Sequence, residues 1–190
     1  MGIDHGAAAA AVASLVTPRL ELVGMRPECL RSELERDGRL GELLGCEVTV
    51  EWPSEVWEPH VWEMLLAAFA LRPEEMEWHR YVVLRGERRV LVGTVNAGRW
   101  SGDPNEAEVG YALVPEFWRR GLATEAAMAL VEFVEASGAV RRLCAHTYPE
   151  LTASVRILER CGFVLEGPGA EERTVRYGKV LGDPTHGLCP

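Results

Sequence analysis

No hydrophobic run in this chain of 190 residues approaches the roughly 20 apolar positions needed to cross a bilayer. Cysteine is scarce: Cys29, Cys46, Cys144, Cys161 and Cys189 are odd in number and show no CxxC spacing. That pattern argues against a disulfide framework and a structural zinc site, and it suits a reducing cytoplasm. Positive charge is in deficit, with 20 Lys and Arg against 29 Asp and Glu for a net charge of -9. A basic nucleic-acid surface is therefore not expected, and an amine or other cationic acceptor fits better. Also missing are a Gly-x-Gly-x-x-Gly turn and alternating βαβ units, which disfavours a dinucleotide domain. The Ala7–Ala11 run follows Asp4 and lacks a basic stretch before it, unlike a secretory leader.

What is present is ordinary globular material, 47% hydrophobic and 26% charged, enough to build one core. One domain is expected over residues 15–182, with residues 1–14 and 183–190 as tails. Leu20 and Leu22 alternate with Arg19 and Glu21 in a first strand, and Pro27 opens a helix carrying Leu30 and Leu34. Pro53 and Pro59 interrupt the Trp-rich stretch that follows, so a second helix is expected from about Pro59. Tyr81–Leu84, Val90–Val95 and Ala107–Val114 read as an antiparallel meander with turns at residues 85–88 and 101–105. A helix over Arg119–Ser137 stopped by Gly138, a strand over Arg141–Tyr148, a helix over Pro149–Cys161 and a last strand over Glu171–Leu181 complete the order. The fold class is thus α+β: a mixed, mostly antiparallel sheet in the order β-α-α-β-β-β-α-β-α-β, flanked by helices.

The informative stretch runs from Val109 to Ala126, where a strand passes through a basic, Gly-containing turn into a helix. The first amides of a helix lack intrahelical partners and its dipole favours negative charge there, so such a turn can hold a polyphosphate. Gly121 and Ala123 let phosphate oxygens approach the backbone, and Arg119 and Arg120 add positive charge. The alternative is an ordinary helix start with solvated arginines. In the strand before it, Glu108, Gly110 and Ala112 share a face nearly bare of side-chain bulk, while Val109, Tyr111 and Leu113 share the other.

Trp118-Arg119-Arg120-Gly121-Leu122-Ala123-Thr124-Glu125-Ala126 resembles the Arg/Gln-x-x-Gly-x-Gly/Ala motif of the GNAT superfamily, with the Thr-Glu-Ala of its ribosomal-protein N-terminal acetyltransferase branch. Trp118 stands where Arg or Gln opens that motif. Ser154-Val155-Arg156-Ile157-Leu158-Glu159-Arg160-Cys161-Gly162-Phe163 is similar to the family's Ser-x-x-x-Leu-x-x-x-Gly-Phe helix. The resemblance implies an acetyl-CoA–dependent N-acetyltransferase acting on a primary amine, a protein N-terminus or a small molecule, by direct attack, with no covalent intermediate and no metal. It implies pyrophosphate contacts at Arg119, Arg120, Gly121, Leu122, Ala123 and Thr124. It also implies a strand that splays near Leu113 and Val114, where the pantetheine arm pairs with exposed backbone. A non-catalytic acyl-CoA-binding module is the alternative, because Leu151 replaces the Asn common in this branch and supplies no amide near the cofactor.

Amine acylation needs a neutral amine and a proton for the departing thiolate. Glu108 corresponds to a strand carboxylate that serves as general base in some family members; otherwise it is a solvated or salt-bridged carboxylate. Ser154 corresponds to a hydroxyl near the thioester sulfur, a proton donor or pantetheine contact; otherwise it bonds back to its own helix. Trp57, His60 and Trp62 lie in the region that forms the acceptor wall in the family, and packing is their alternative role. His146, on the strand after the main helix, reads as structural. No membrane or nucleic-acid partner is expected, and a homodimer is left open.

Overall fold

The computed structural model describes residues 13–53, 59–99 and 102–182; residues 1–12, residues 183–190 and Trp57 lie outside the described residues. In chain order the elements are β1 (Leu15–Val16), β2 (Leu20–Gly24), α1 (Pro27–Glu35), α2 (Leu40–Leu44), β3 (Glu47–Val48), α3 (Pro59–Leu71), β4 (His79–Leu84), β5 (Val90–Gly98), β6 (Glu106–Leu113), α4 (Leu122–Ser137), β7 (Arg142–Thr147), α5 (Thr152–Arg160), β8 (Val164–Pro168) and β9 (Val175–Val180). Short 3-10 turns precede β4 and α4.

The strands form one sheet in the order β1-β2-β4-β5-β6-β7-β9-β8, with β3 also pairing β5. Along that path every neighbouring pair is antiparallel except β6 and β7. Side chains alternate across a sheet, so its central strands β4 and β5 serve two cores. On one face Leu20, Leu22, Val82, Val95 and Val109 meet Leu122, Ala126, Leu130 and Val134 of α4 and Leu158 of α5. On the other, Tyr81, Val83 and Leu91 meet Cys29 and Leu30 of α1, Leu40 and Leu44 of α2, and Trp62, Leu65 and Phe69 of α3. The last three sit three and four residues apart, the stripe a helix buries against a sheet.

The expected α+β architecture is present, with several boundaries moved for identifiable reasons. The helix opened by Pro27 ends where Arg36 turns left-handed at φ 51°, and the separate short helix α2 follows it. The main helix begins at Leu122 rather than Arg119, since Arg119 (φ 59°) and Gly121 (φ 74°) both hold left-handed backbone that no α-helix tolerates. Strand β8 was not expected from the sequence: Val164, Leu165 and Glu166 are all exposed, so no alternation marks it. Among the described residues no helix is long and apolar enough to cross a membrane.

Leu130 is fully buried where α4 crosses the sheet. Leu130→Ala is expected to lower unfolding free energy by about 2–5 kcal/mol, measured by chemical denaturation, through lost transfer energy and the cavity left behind.

Candidate active site

The site begins where two strands part. β6 and β7 pair in parallel only over Glu106–Arg142, Ala107–Leu143 and Glu108–Cys144. Beyond that β6 stays with β5 as far as Leu113, while β7 stays with β9 as far as Thr147. The sheet therefore opens after Glu108, five residues earlier than the divergence expected near Leu113 and Val114. The Val114 amide donates to the Val92 carbonyl at 3.0 Å. Antiparallel alternation then turns the peptide groups of Glu108, Gly110 and Ala112 toward β5, and those of Tyr111 and Leu113 into the opening. The Trp118 indole donates to the Leu113 carbonyl at 2.6 Å, although its ring is 58% exposed. Tyr111 thus keeps the exposed peptide that an extended ligand can pair with.

The chain leaves β6 through a single turn and enters α4. Gly121 is the N-cap of that helix and no side chain caps its first turn, so the amides of Leu122, Ala123 and Thr124 are left to an external acceptor. Gly121 is favoured by its backbone: its φ of 74° lies in the left-handed region that suits glycine. Arg119 and Arg120 are exposed beside the turn, with the Arg120 guanidinium 5.2 Å from the Phe117 ring centroid. Glu125, in the first turn of α4, would oppose a phosphate if left free. Its carboxylate instead accepts from Thr17 Oγ1 (2.6 Å), the Arg19 amide (2.9 Å) and Arg19 Nε (2.7 Å), while Arg19 Nη1 donates to the Arg120 carbonyl at 2.8 Å. Burial pushes the Glu125 carboxyl up, but these bonds outweigh it and the net shift is downward. Arg19 is thus a member of the turn that the sequence does not reveal, being 106 residues from its partner.

Inside the opening, the Tyr111 hydroxyl lies 3.1 Å from the Ser154 carbonyl and 3.0 Å from Ser154 Oγ. Burial pushes the phenol up to about 12, so it keeps its proton at neutral pH. Ser154 does not merely bond back into α5; it is joined to β6 by a second hydroxyl. Leu151 is the N-cap of α5, provides no side-chain cap and is 52% exposed.

On the opposite face, at the last paired position of β6, Glu108 Oε1 lies 2.9 Å from His146 Nδ1. Sequence reasoning treated His146 as structural, and the parallel pairing of Glu108 with Cys144 is what brings it across. The face is also less bare than expected: a Cβ at Gly110 would stand 3.0 Å from Asn96 Oδ1, so the Asn96 amide occupies that space.

The model of the acetyltransferase (GNAT) domain family matches residues 34–164, more than half of the chain. This protein belongs to the GNAT acetyltransferase family. It is 27% identical over 163 residues to the uncharacterized N-acetyltransferase YjdG of Bacillus subtilis, covering 83% of this chain and 93% of that one. Against YoaA of the same organism, another uncharacterized N-acetyltransferase, it is 29% identical over 103 residues, 54% of this chain and 58% of the relative's length. Among solved structures, a GNAT-family acetyltransferase from Bordetella pertussis superposes with a TM-score of 0.65 at 19% identity, covering 88% of this chain and 99% of the other. RimL, the ribosomal L7/L12 α-N-protein acetyltransferase solved with coenzyme A, gives 0.60 at 18% identity over 88% and 97% of the two chains. The likeness to these structures is one of fold.

On the helical side opposite α4, the residues suggested as an acceptor wall part company. Trp62 is only 3% exposed and is built into the second core, so it packs rather than lines a surface. His60 is exposed near the start of α3, and Trp57 lies outside the described residues. A polar group that sequence reasoning passed over lies in this region: Glu33 of α1 accepts from Trp52 Nε1 at 2.9 and 3.1 Å. Burial pushes its carboxyl up from the ordinary 4.5 to about 7. A raised pKa means that the folded state holds this proton more tightly than the unfolded chain. The stabilisation is complete below pH 4.5 and is lost as pH rises through about 7. Compared with Glu33→Gln, in which the position carries no titrating group, the native protein should lose on the order of 2–3 kcal/mol more unfolding free energy between pH 5 and pH 8, read by denaturant titration at each pH.

Proposed function

We propose that this GNAT protein transfers an acetyl group from acetyl-CoA to a primary amine, on a protein N-terminus or a small molecule, by direct attack in a ternary complex. The observation that carries this is the uncapped, glycine-initiated start of α4 placed at the end of a strand that has parted from its neighbour, with two hydroxyls inside the gap. The first amides of α4, from Leu122, Ala123 and Thr124, receive the pyrophosphate with Gly121 at their head, and Arg119 and Arg120 supply counter-charge. Leu113 and Val114 flank the pantetheine arm, which pairs with the exposed Tyr111 peptide as an added strand.

Glu108 and His146 take the amine's proton. With Nδ1–H donating to Glu108, His146 presents Nε2 as the accepting atom, and the carboxylate stabilises the charge that follows. On the other side Ser154 donates a hydrogen bond to the departing thiolate, which takes its proton from solvent on release, and Tyr111, a phenol that burial keeps protonated, orients the serine. Direct attack is supported by the cysteines: burial raises the thiols of Cys29, Cys46, Cys144 and Cys161, Cys144 to about 12, so none of these four is a ready nucleophile. These free thiols also suit a cytoplasmic setting.

Calorimetry should show acetyl-CoA binding to the protein, and Gly121→Val should abolish it by forcing a β-branched residue into left-handed backbone beside the phosphate position. With donor bound, Glu108→Gln and His146→Ala should each lower kcat about 100-fold or more, measured by thiol release. Ser154→Ala should cost roughly tenfold, the loss of one hydrogen bond made in the transition state. Absence of donor binding, or full turnover in both Glu108→Gln and Ser154→Ala, would overturn the assignment.

A further inference from the structure

Gly110 carries no side chain, and three polar groups on one face of the sheet surround the space this leaves. Asn96 on β5 is paired with Gly110, and Gly98 with Glu108, so Asn96 and Glu108 are diagonal neighbours on that face with Cα atoms roughly 7–8 Å apart. Cys144 on β7 is paired with Glu108, so two residues further along His146 stands abreast of Gly110, across the opening. The His146 ring leans back to Glu108, with Nδ1 2.9 Å from Oε1. The Asn96 amide leans over the glycine: a Cβ built on Gly110 would stand 3.0 Å from Oδ1, 3.5 Å from Nδ2 and 3.6 Å from Cγ.

This space is reachable from outside. Asn96 and Gly110 are each only half-buried, and Glu108 and His146 keep 31% and 19% of their side-chain surface exposed. The apolar cluster under α1, α2 and α3 covers the same face over Tyr81, Val83 and Leu91, and it takes in no residue of β6 or β7. Glu108 and His146 hold each other, whereas among the described residues the Asn96 amide forms no hydrogen bond. Its carbonyl oxygen has two lone pairs to offer an N–H donor.

Acylation of a primary amine calls for such an acceptor. The neutral amine has two N–H groups, and its lone pair forms the new N–C bond as the C–S bond breaks and the thiolate leaves. One proton passes to Nε2 of His146, and the other stays on the nitrogen of the product amide. We propose that Asn96 Oδ1 accepts this second N–H, holding the nitrogen between Asn96 and the Glu108–His146 pair with its lone pair turned toward the thioester carbonyl. Asn96 is then a substrate-binding residue that selects primary over secondary amines, because a secondary amine gives up its one N–H to the base. This rests on amine acetylation as proposed above, and the experiment separates the two.

Two conjugates of coenzyme A present the product-like nitrogen whatever the natural acceptor is: S-(N-methylcarbamoylmethyl)-CoA keeps an N–H, and S-(N,N-dimethylcarbamoylmethyl)-CoA lacks it. Each is titrated calorimetrically into the whole protein, alongside acetyl-CoA, which registers the donor half alone. The native protein should bind the N–H conjugate about fivefold more tightly, the worth of one neutral hydrogen bond. In Asn96→Ala and in the nearly isosteric Asn96→Leu the two Kd values should come together, whereas a general loss of packing would weaken both conjugates alike and leave their ratio unchanged. Equal affinities in the native protein, or a preference that survives both substitutions, overturn the role of Asn96 while donor binding stands. Failure of acetyl-CoA and of both conjugates to bind overturns the donor assignment, and this inference with it.

Discussion

The parallel ladder between β6 and β7 stops after three residue pairs, and the site is built around that stop. Each strand has a full antiparallel partner on its other side, β5 for one and β9 for the other, and each follows that partner beyond the last shared pair. Backbone amides left open inside a sheet are ordinarily a liability, because unpaired peptide groups are costly when buried and invite pairing when exposed. On the β6 edge they fall at Tyr111 and Leu113, and the Trp118 indole already satisfies the Leu113 carbonyl. The Tyr111 peptide groups and the Leu113 N–H therefore remain open on that edge.

The three ends of the opening are held by contacts distant in sequence. Arg19 and Thr17, in the turn before β2, clamp Glu125 and so hold the start of α4 against the sheet. Tyr111 reaches across to α5 through Ser154, and Glu108 reaches β7 through His146. Removing the Glu125 clamp would place an unpaired carboxylate beside the uncapped amides, which would repel an anion there. The clamp is thus electrostatic as well as mechanical. The negative charge of the chain as a whole does not conflict with an anionic donor, because the local field at the turn is set by Arg19, Arg119, Arg120 and the helix dipole.

Most of the proposed donor half of the site is written in local sequence. The turn, the helix it opens and the strand before it occupy one continuous stretch from Val109 to Ala126, and short-range chemistry decides their conformation. Ser154 was legible through a second local pattern. His146, Arg19 and Glu33 were not, since each owes its place to strand register or helix packing over separations that periodicity does not encode. The alternation of β7 does put Arg142, Cys144 and His146 on one face, but only the parallel register with β6 shows that Glu108 meets it there. Trp62 errs in the opposite sense: tryptophans clustered before a meander suggest a lining, yet the Trp62, Leu65, Phe69 spacing already describes a buried stripe.

The same distinction explains why the two halves of the site differ in physical character. The donor half uses backbone groups, whose positions follow from secondary structure and vary little with side-chain identity, so it suits a ligand common to the family. The face of the sheet covered by α1 and α3 instead presents side chains, where single substitutions change the chemistry presented without disturbing the ladder. Glu33 illustrates the consequence. A carboxyl that burial lifts to about 7 is poised between neutral and charged, and a cation arriving beside it favours the charged form. Its protonation therefore follows the charge around it, which that of a permanently paired carboxylate such as Glu125 does not.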